Sequence, residues 1–201
     1  MKTDLSCYNN SWYKPGNSFK RILWYFTSLI FFQNSFFLFS SFKVFLLRVF
    51  GARVGTGVLL KPNVSIKYPW NLHMGNNIWI GERVWIDNLA AVYIGDNVCV
   101  SQAAYLLTGN HNYTLPYFDL IVKPVTLEEG VWIGAQSIVC PGVTCKSHAV
   151  LSAGSVATRD LEPYTIYQGN PALRVKERKI AAIPIMNTFL MSGLILEFII
   201  G

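Results

Sequence analysis

A six-residue repeat occupies the middle of the chain and limits its possible folds more than any other feature. An apolar residue recurs at every sixth position between residues 54 and 157, with three interruptions. Thirteen of the fifteen anchor positions hold Val, Ile, Leu or Met. The anchors are Val54, Leu60, Ile66, Met74, Ile80, Ile86, Ile94, Val100, Leu106, Leu127, Ile133, Val139, Cys145, Leu151 and Ala157.

A period of six matches neither the 3.6-residue period of an α-helix nor the strict alternation of a long strand. It is typical of short strands joined by tight corners, with three hexads forming one triangular turn. The anchors then point inward, and successive turns stack about 4.8 Å apart with paired backbones. The repeat therefore predicts a mainly β fold, a parallel β-helix over residues 51–165, without giving its handedness.

The interruptions of the repeat predict where a functional loop emerges. Two extra residues follow Asn71 and two more follow Ala91, and the segment 108–126 lies outside the repeat altogether. The first two interruptions each follow three hexads, and the third comes at the close of the next three, so all three should leave the same corner of the prism. The third contains the run T-G-N-H-N-Y, and a long loop on a rigid scaffold often carries binding or catalytic residues.

Composition favours a chain with reduced thiols that does not bind nucleic acid. The net charge of +6 includes no Lys/Arg run of the kind that binds nucleic acid, and the four cysteines form no C-x-x-C pair. The first twenty residues are polar, which disfavours a cleaved secretory signal and favours a cytoplasmic location, with the inner face of the cytoplasmic membrane as an option.

Apolar residues concentrate at the two ends of the chain. The sequence predicts an N-terminal arm over 1–50 with helices near 19–32 and 35–50, and a C-terminal segment over 166–201 with an apolar helix after Pro184. Polar residues interrupt the N-terminal run, so these helices are expected to lie on the end of the prism or in peripheral contact with a membrane. The two alternatives stay open at this point.

Several motifs resemble those of the hexapeptide-repeat acyltransferases, most closely the colanic acid biosynthesis acetyltransferases. They are F-L-L-R-V-F-G-A-R-V-G at 45–55, Y-P-W at 68–70, I-G-x-x-x-x-x-S-Q-x-x-Y-L-x-T-G-x-H at 94–111, P-G-V-T at 141–144, G-N-P-A at 169–172 and E-R at 177–178. The resemblance implies a left-handed β-helix, a homotrimer, and acetyl-CoA bound between neighbouring subunits as the donor. It also implies O-acetylation of a sugar in bacterial exopolysaccharide or capsule biosynthesis.

The same resemblance implies roles for individual residues. His111 corresponds to the general base of the family, and Asn88 with Asp87 is the nearest candidate for binding the acceptor. The implied cofactor contacts are Trp132, Gly134, Ala135, Ala153, Thr158, Arg159, Lys176 and Arg178. No metal is expected. The acceptor, whether a free, nucleotide-linked or lipid-linked saccharide, cannot be chosen from the sequence.

The predicted chemistry explains why a histidine is needed. A sugar hydroxyl is a poor nucleophile at neutral pH, whereas imidazole titrates near that pH and can take its proton. Backbone N–H groups at Gly134 and Ala135 are candidate donors to the oxyanion of the tetrahedral intermediate.

Two other functions remain possible from the sequence. A γ-type carbonic anhydrase uses the same prism with zinc bound by three histidines, and this chain has only His73, His111 and His148, spaced along different turns. A membrane-attached scaffold would use the repeat for assembly alone. Metal analysis and a His111→Ala variant would separate these alternatives from the enzyme.

Overall fold

The computed structural model describes residues 2–181, and within them the predicted parallel β-helix is confirmed. The predicted C-terminal helix lies outside the described residues. Strands of two to five residues follow one another around three sheets, and each strand pairs in parallel with its equivalent in the next turn, except the last strand, which returns antiparallel to the strand before it.

Sheet 1 contains β1 (Arg53–Val54), β4 (Leu72–Met74), β7 (Val92–Ile94), β12 (Val125–Leu127) and β15 (Thr144–Cys145). Sheet 2 contains β2 (Leu59–Leu60), β5 (Trp79–Ile80), β8 (Cys99–Val100), β13 (Trp132–Ile133), β16 (Val150–Leu151), β18 (Thr165–Gln168) and β19 (Leu173–Glu177). Sheet 3 contains β3 (Ser65–Ile66), β6 (Trp85–Asp87), β9 (Tyr105–Leu107), β14 (Ile138–Val139) and β17 (Val156–Ala157). A separate hairpin is formed by β10 (Gly109–His111) and β11 (Leu120–Val122).

The anchors of the repeat form the core of the prism. Fourteen of the fifteen are buried, and only Val54, at the first turn, is half-buried. Many corner residues adopt the left-handed conformation, including the non-glycine residues Asn77 (φ 54°) and Asn97 (φ 58°). Asn tolerates this conformation better than most residues, which explains its recurrence at the corners.

Two helices cover the first turn of the prism. α1 (Ser18–Phe31) begins after Asn17, whose side chain accepts from the N–H groups of Phe19 and Lys20. The indole of Trp24 on α1 donates to Ile66 O at 2.9 Å and packs on Phe32 and Phe50. Packing against the end of the prism, the first of the two predicted arrangements, therefore accounts for the buried side of these helices.

The second helix, α2 (Ser40–Val49), begins five residues later than predicted. The side chain of Asn34 accepts from Phe36 N at 2.7 Å, which closes a turn instead of starting a helix. Ser40 Oγ then donates to Val58 O and accepts from Leu60 N, which joins the start of α2 to the first turn. Short 3₁₀ turns at Leu5–Cys7 and Pro69–Asn71 complete the described elements.

Candidate active site

His111 lies on the hairpin that the sequence places in the long interruption. The hairpin leaves the corner between sheets 3 and 1 after the third turn, which is the corner that also holds the two shorter insertions. Residues 109–111 pair in antiparallel register with residues 120–122, with His111 opposite Leu120. The prediction that the interruptions share one corner is therefore confirmed.

The imidazole of His111 is held in one tautomer. Its Nδ1 lies 2.8 Å from Phe118 O, and its ring stacks on the Phe118 ring with centroids 4.6 Å apart. A carbonyl oxygen can only accept, so Nδ1 carries the hydrogen and Nε2 keeps a free lone pair. Phe118 itself has φ 56°, a left-handed conformation that a phenylalanine rarely adopts. The loop thus fixes the ring in the form that a general base requires.

The N-terminal segment before α1 packs on this hairpin, a contact that sequence reasoning missed. Asp4 N donates to Pro116 O at 2.8 Å, and the Tyr8 ring lies 5.8 Å from the His111 ring. Tyr13 Oη donates to Leu89 O at 2.8 Å. Burial, together with the neighbouring Tyr68 and Asp87, raises the pKa of Tyr13, so its phenol remains a hydrogen-bond donor. The apolar residues of this segment show no periodic pattern, and its content of Asn, Ser and Tyr was the only sequence feature that could have indicated a binding role.

A cavity of about 630 Å³ lies between the N-terminal segment and the hairpin. His111 lines it, together with Tyr8, Tyr13, Arg21 and Lys67. Its volume falls in the range of small-molecule sites, and its walls combine aromatic rings with hydroxyl, imidazole and cationic groups. The cavity can therefore hold a polar organic molecule against the imidazole.

A second group of predicted residues forms a continuous strip at the corner between sheets 2 and 3. We call Trp132, Gly134, Ala135 and Ala153 the donor strip. Gly154 N donates to Ala135 O at 2.8 Å, which joins the two turns. A Cβ on Gly134 would lie 2.5 Å from Ala153 N, so only glycine permits this approach. The exposed Trp132 is oriented by a 2.9 Å bond from Nε1 to Ser101 Oγ.

Comparison with known proteins identifies the family. The chain is 34% identical over 166 residues to the Escherichia coli protein described as "Putative colanic acid biosynthesis acetyltransferase WcaF", a match that covers 83% of this chain and 91% of that one. This chain is a hexapeptide-repeat acetyltransferase. A hexapeptide-repeat acetyltransferase of Vibrio cholerae superposes with a TM-score of 0.72 at 24% identity, over 80% of this chain and 92% of that chain. A galactoside acetyltransferase solved in complex with coenzyme A gives 0.64 at 27% identity, over 80% and 81%. No family model matches the sequence.

His111 and the donor strip of this acetyltransferase occupy different corners of one prism. His111 follows sheet 3 on the way to sheet 1, whereas the donor strip follows sheet 2 on the way to sheet 3. Strands β9 and β14 of sheet 3 therefore separate them within a single chain. The structure brings together the residues within each group but does not bring the two groups together.

The predicted acceptor contact of Asn88 does not fit its position in the acetyltransferase. Asn88 is fully buried, and its amide accepts from Tyr68 N at 2.9 Å and donates to Tyr68 O at 2.6 Å. These bonds satisfy a backbone that bends after the first turn, so the residue is structural. Asp87 does not line the cavity, but its Oδ1 lies 2.9 Å from Nζ of Lys67, which does.

The predicted cofactor contacts outside the donor strip differ in whether their side chains are exposed or already bonded within the protein. Thr158, Arg159 and Lys176 are exposed. The guanidinium of Arg178 instead donates from one nitrogen to Gly130 O at 2.8 Å and to His148 O at 3.1 Å. These two bonds use only Nη1 of the guanidinium and attach the segment after β19 to the prism, while the cofactor contact of Arg178 stays a prediction.

The candidate oxyanion donors also differ. Gly134 N already donates to Leu151 O at 2.7 Å, as the stacking of turns requires. Ala135 N has no acceptor among residues 2–181 and is the better candidate of the two. The expectation for Gly134 as an oxyanion donor is therefore wrong, because the strand ladder uses its N–H.

The other two histidines lie apart from His111. His73 stacks on Tyr93 with centroids 4.9 Å apart, and burial followed by Arg53 lowers the pKa of its imidazole. His148 stacks on Tyr164 at 4.7 Å. Among residues 2–181 there is no group of three His, Cys, Asp or Glu side chains that could hold a metal ion. The zinc-enzyme alternative thus finds no ligand set in the described part of the acetyltransferase.

Proposed function

We propose that this acetyltransferase transfers acetyl from acetyl-CoA to a hydroxyl of a saccharide in bacterial exopolysaccharide or capsule biosynthesis, with His111 as general base. The observation that carries the proposal is the orientation of His111. Its Nδ1 is fixed on Phe118 O at 2.8 Å, and the same residue lines a cavity with Tyr8, Tyr13, Arg21 and Lys67. Family membership supplies the acyl-transfer chemistry for which this arrangement is suited.

In the proposed reaction, Nε2 of His111 takes the hydroxyl proton while the oxygen attacks the thioester carbonyl. The tetrahedral intermediate then collapses, the carbon–sulfur bond breaks, and the imidazolium returns the proton to the leaving thiolate. Ala135 N is the proposed donor to the oxyanion. The transfer needs no acylated side chain, because the thioester is already an activated donor.

The donor strip is the proposed binding surface for the pantetheine arm of the coenzyme. The related galactoside acetyltransferase was solved with coenzyme A, which supports coenzyme A recognition by this fold. Small residues at Gly134, Ala135 and Ala153 let an extended ligand lie close to the backbone, and the exposed indole of Trp132 provides an apolar side. The exposed Arg159 and Lys176 are proposed to bind phosphates.

The active site is proposed to form between two subunits of a homotrimer. His111 and the donor strip are separated by sheet 3 in one chain, so one protomer alone does not bring the base to the thioester. A side-by-side neighbour can supply the missing half, and closed cyclic symmetry repeats this contact at three equivalent interfaces. The acceptor cavity then belongs to one subunit and the donor strip to the next.

A saccharide acceptor is supported by two observations. The relative WcaF is named for colanic acid biosynthesis, and another relative, from Escherichia coli, is named galactoside O-acetyltransferase with 32% identity over 129 residues. The cavity also offers hydroxyl, ring and cationic groups, which suit hydroxyl-rich molecules with an anionic substituent. Acetylation of a saccharide precursor on the cytoplasmic side of the membrane fits this acceptor class.

The test is release of coenzyme A from acetyl-CoA with a panel of free, nucleotide-linked and lipid-linked saccharides. His111→Ala should lower kcat by about 10²–10⁴ with the best acceptor. His73→Ala is the matched control, because it removes an imidazole that stacks on Tyr93 and should leave turnover close to that of the natural protein. If His111→Ala retains full activity, or no saccharide is acetylated, the proposal is wrong. A catalytically inactive natural protein would favour the scaffold alternative.

A further inference from the structure

The outer surface of the N-terminal helices is strongly apolar. Phe36 is 94% exposed, Phe39 is 69% exposed and Phe45 is 56% exposed, while Leu23, Phe26 and Ile30 on α1 are also exposed. We call these six residues the apolar face. Packing on the prism already uses the opposite sides of the helices, through Trp24, Val44 and Leu47. Contiguous apolar patches on a protein surface generally mark a binding site for another apolar surface.

The charge around this face has one sign. Residues 5–81 contain eight Lys or Arg and no Asp or Glu, whereas the rest of the chain contains nine Lys or Arg and eleven Asp or Glu. The net charge of +6 therefore originates in the part of the chain that includes both helices and the first turn. An apolar face within a basic region is complementary to an anionic lipid surface.

The lengths of the helices determine how they can meet a bilayer. α1 has 14 residues and α2 has ten, which correspond to about 21 Å and 15 Å. Both are shorter than the hydrocarbon core of about 30 Å. No helix among residues 2–181 is long and apolar enough to cross a membrane. Helices of this length can lie in the interface with one side in the acyl region and the other side on the prism.

The position of the face favours lipid over a second copy of the chain. α2 contacts β1 and β2, the first strands of the prism, so the face covers one end of the stack. Subunits that associate through the sides of their prisms leave the ends free, and a cyclic assembly presents its equivalent ends in one direction. Three such faces would then meet a flat surface together, which strengthens weak individual binding.

We propose that the apolar face docks the protein on the surface of a bilayer that contains anionic lipid. The six side chains enter the boundary between headgroups and acyl chains, and exposed basic residues of the first turn, such as Arg53 on β1, contact lipid phosphates. The docking does not depend on the proposed reaction, because none of the six residues touches His111 or the donor strip. It would bring the acceptor cavity of each subunit near membrane-bound saccharides.

The test is flotation of the full-length protein with vesicles of phosphatidylcholine alone or with phosphatidylglycerol added. The natural protein should float with the anionic vesicles, less with neutral ones, and less at high salt. The triple variant Phe36→Ser, Phe39→Ser, Phe45→Ser should lower the partition coefficient by about 100-fold. Its circular dichroism and its turnover with a water-soluble acceptor should be unchanged, which shows that the prism is intact.

The matched control is Leu173→Ser, Val175→Ser, Ile180→Ser, which also removes three exposed apolar side chains but near the other end of the prism. This variant should float like the natural protein. Equal flotation of the Phe triple variant and the natural protein would overturn the proposal and assign the binding to another segment, such as the apolar residues 182–201. A different result would be a natural protein that does not float and forms an assembly larger than a trimer. If the Phe triple variant lacks that larger assembly, a second copy of the chain covers the apolar face.

Discussion

Replacing Lys43 by methionine should stabilise the protein and remove one part of its pH dependence. Lys43 has no exposed surface, and its ammonium donates to Lys61 O at 3.1 Å without a carboxylate partner in residues 2–181. Burial lowers its pKa from 10.5 to about 8. Methionine has a similar length and packs well in irregular apolar space.

The sign and size of the effect follow from this lowered pKa. Below pH 8 both states carry the proton, and the folded state bears the cost of the buried charge. Between pH 8 and 10.5 the folded protein loses the proton first, so its free energy of unfolding rises with pH by up to about 3 kcal/mol. At neutral pH Lys43→Met should gain about 1–2 kcal/mol, since loss of the bond to Lys61 O offsets roughly 1 kcal/mol.

Urea unfolding of both proteins at equal concentration, followed by circular dichroism between about pH 7 and 10, measures the difference. The advantage of Lys43→Met should shrink as the pH rises and approach zero or reverse near the upper end. Lys14→Met, which removes an exposed lysine, controls for the loss of one positive charge. A difference that does not vary with pH, or a Lys43→Met protein that is less stable at neutral pH, would refute the reasoning.

Three further outcomes are expected. The variants His111→Ala and Ala153→Trp should each be inactive alone. When the two variant proteins are unfolded together and reassembled, they should recover up to about a quarter of natural activity, because random trimers then contain some interfaces with both natural residues. No recovery would contradict a shared site. Gly134→Ala should lose about 3 kcal/mol or more of unfolding free energy, since its Cβ meets the backbone of the next turn. Gly154→Ala, where a Cβ meets nothing within 4 Å, should lose only about 1 kcal/mol. Equal losses in thermal melts of the two variants would show that the close approach at Gly134 is unimportant. Asn88→Ala should lower the unfolding free energy by about 2–3 kcal/mol and leave KM for the acceptor unchanged. A raised KM with unchanged stability would instead support a direct contact between Asn88 and the acceptor.

The core of the fold could be predicted because its signal is local and periodic. Each anchor of the repeat is an apolar residue at a fixed spacing, and fourteen of them are buried. The loop that carries His111 was predictable for the opposite reason, since it breaks the period, whereas its hairpin form was seen only in the structure. The start of α2 was not, because the hydroxyl of Ser40 at its first position bonds to Val58 O and Leu60 N, which lie in the first turn.

The residues around His111 could be predicted only in part. Asn88 and Arg178 were predicted to bind the acceptor and the cofactor, but both side chains bond to backbone groups that become adjacent only in the folded prism. Tyr8 and Tyr13 belong to a segment without periodicity, and their position depends on contacts with distant residues: Tyr13 bonds to Leu89, 76 positions away, and Tyr8 packs near His111. The resemblance to known enzymes identified His111, while its tautomer required the distance to Phe118 O.

The turns of the prism are evenly spaced, so each one adds a fixed distance along its axis. The helices cover the first turn and the hairpin leaves after the third, so roughly 10 Å of stacked backbone lies between the covered end and the height at which His111 emerges. One additional turn inserted between them would move the imidazole about 5 Å farther from that end without altering either surface. The number of turns therefore sets, in fixed increments, the distance between the imidazole of His111 and the end of the prism that the helices cover.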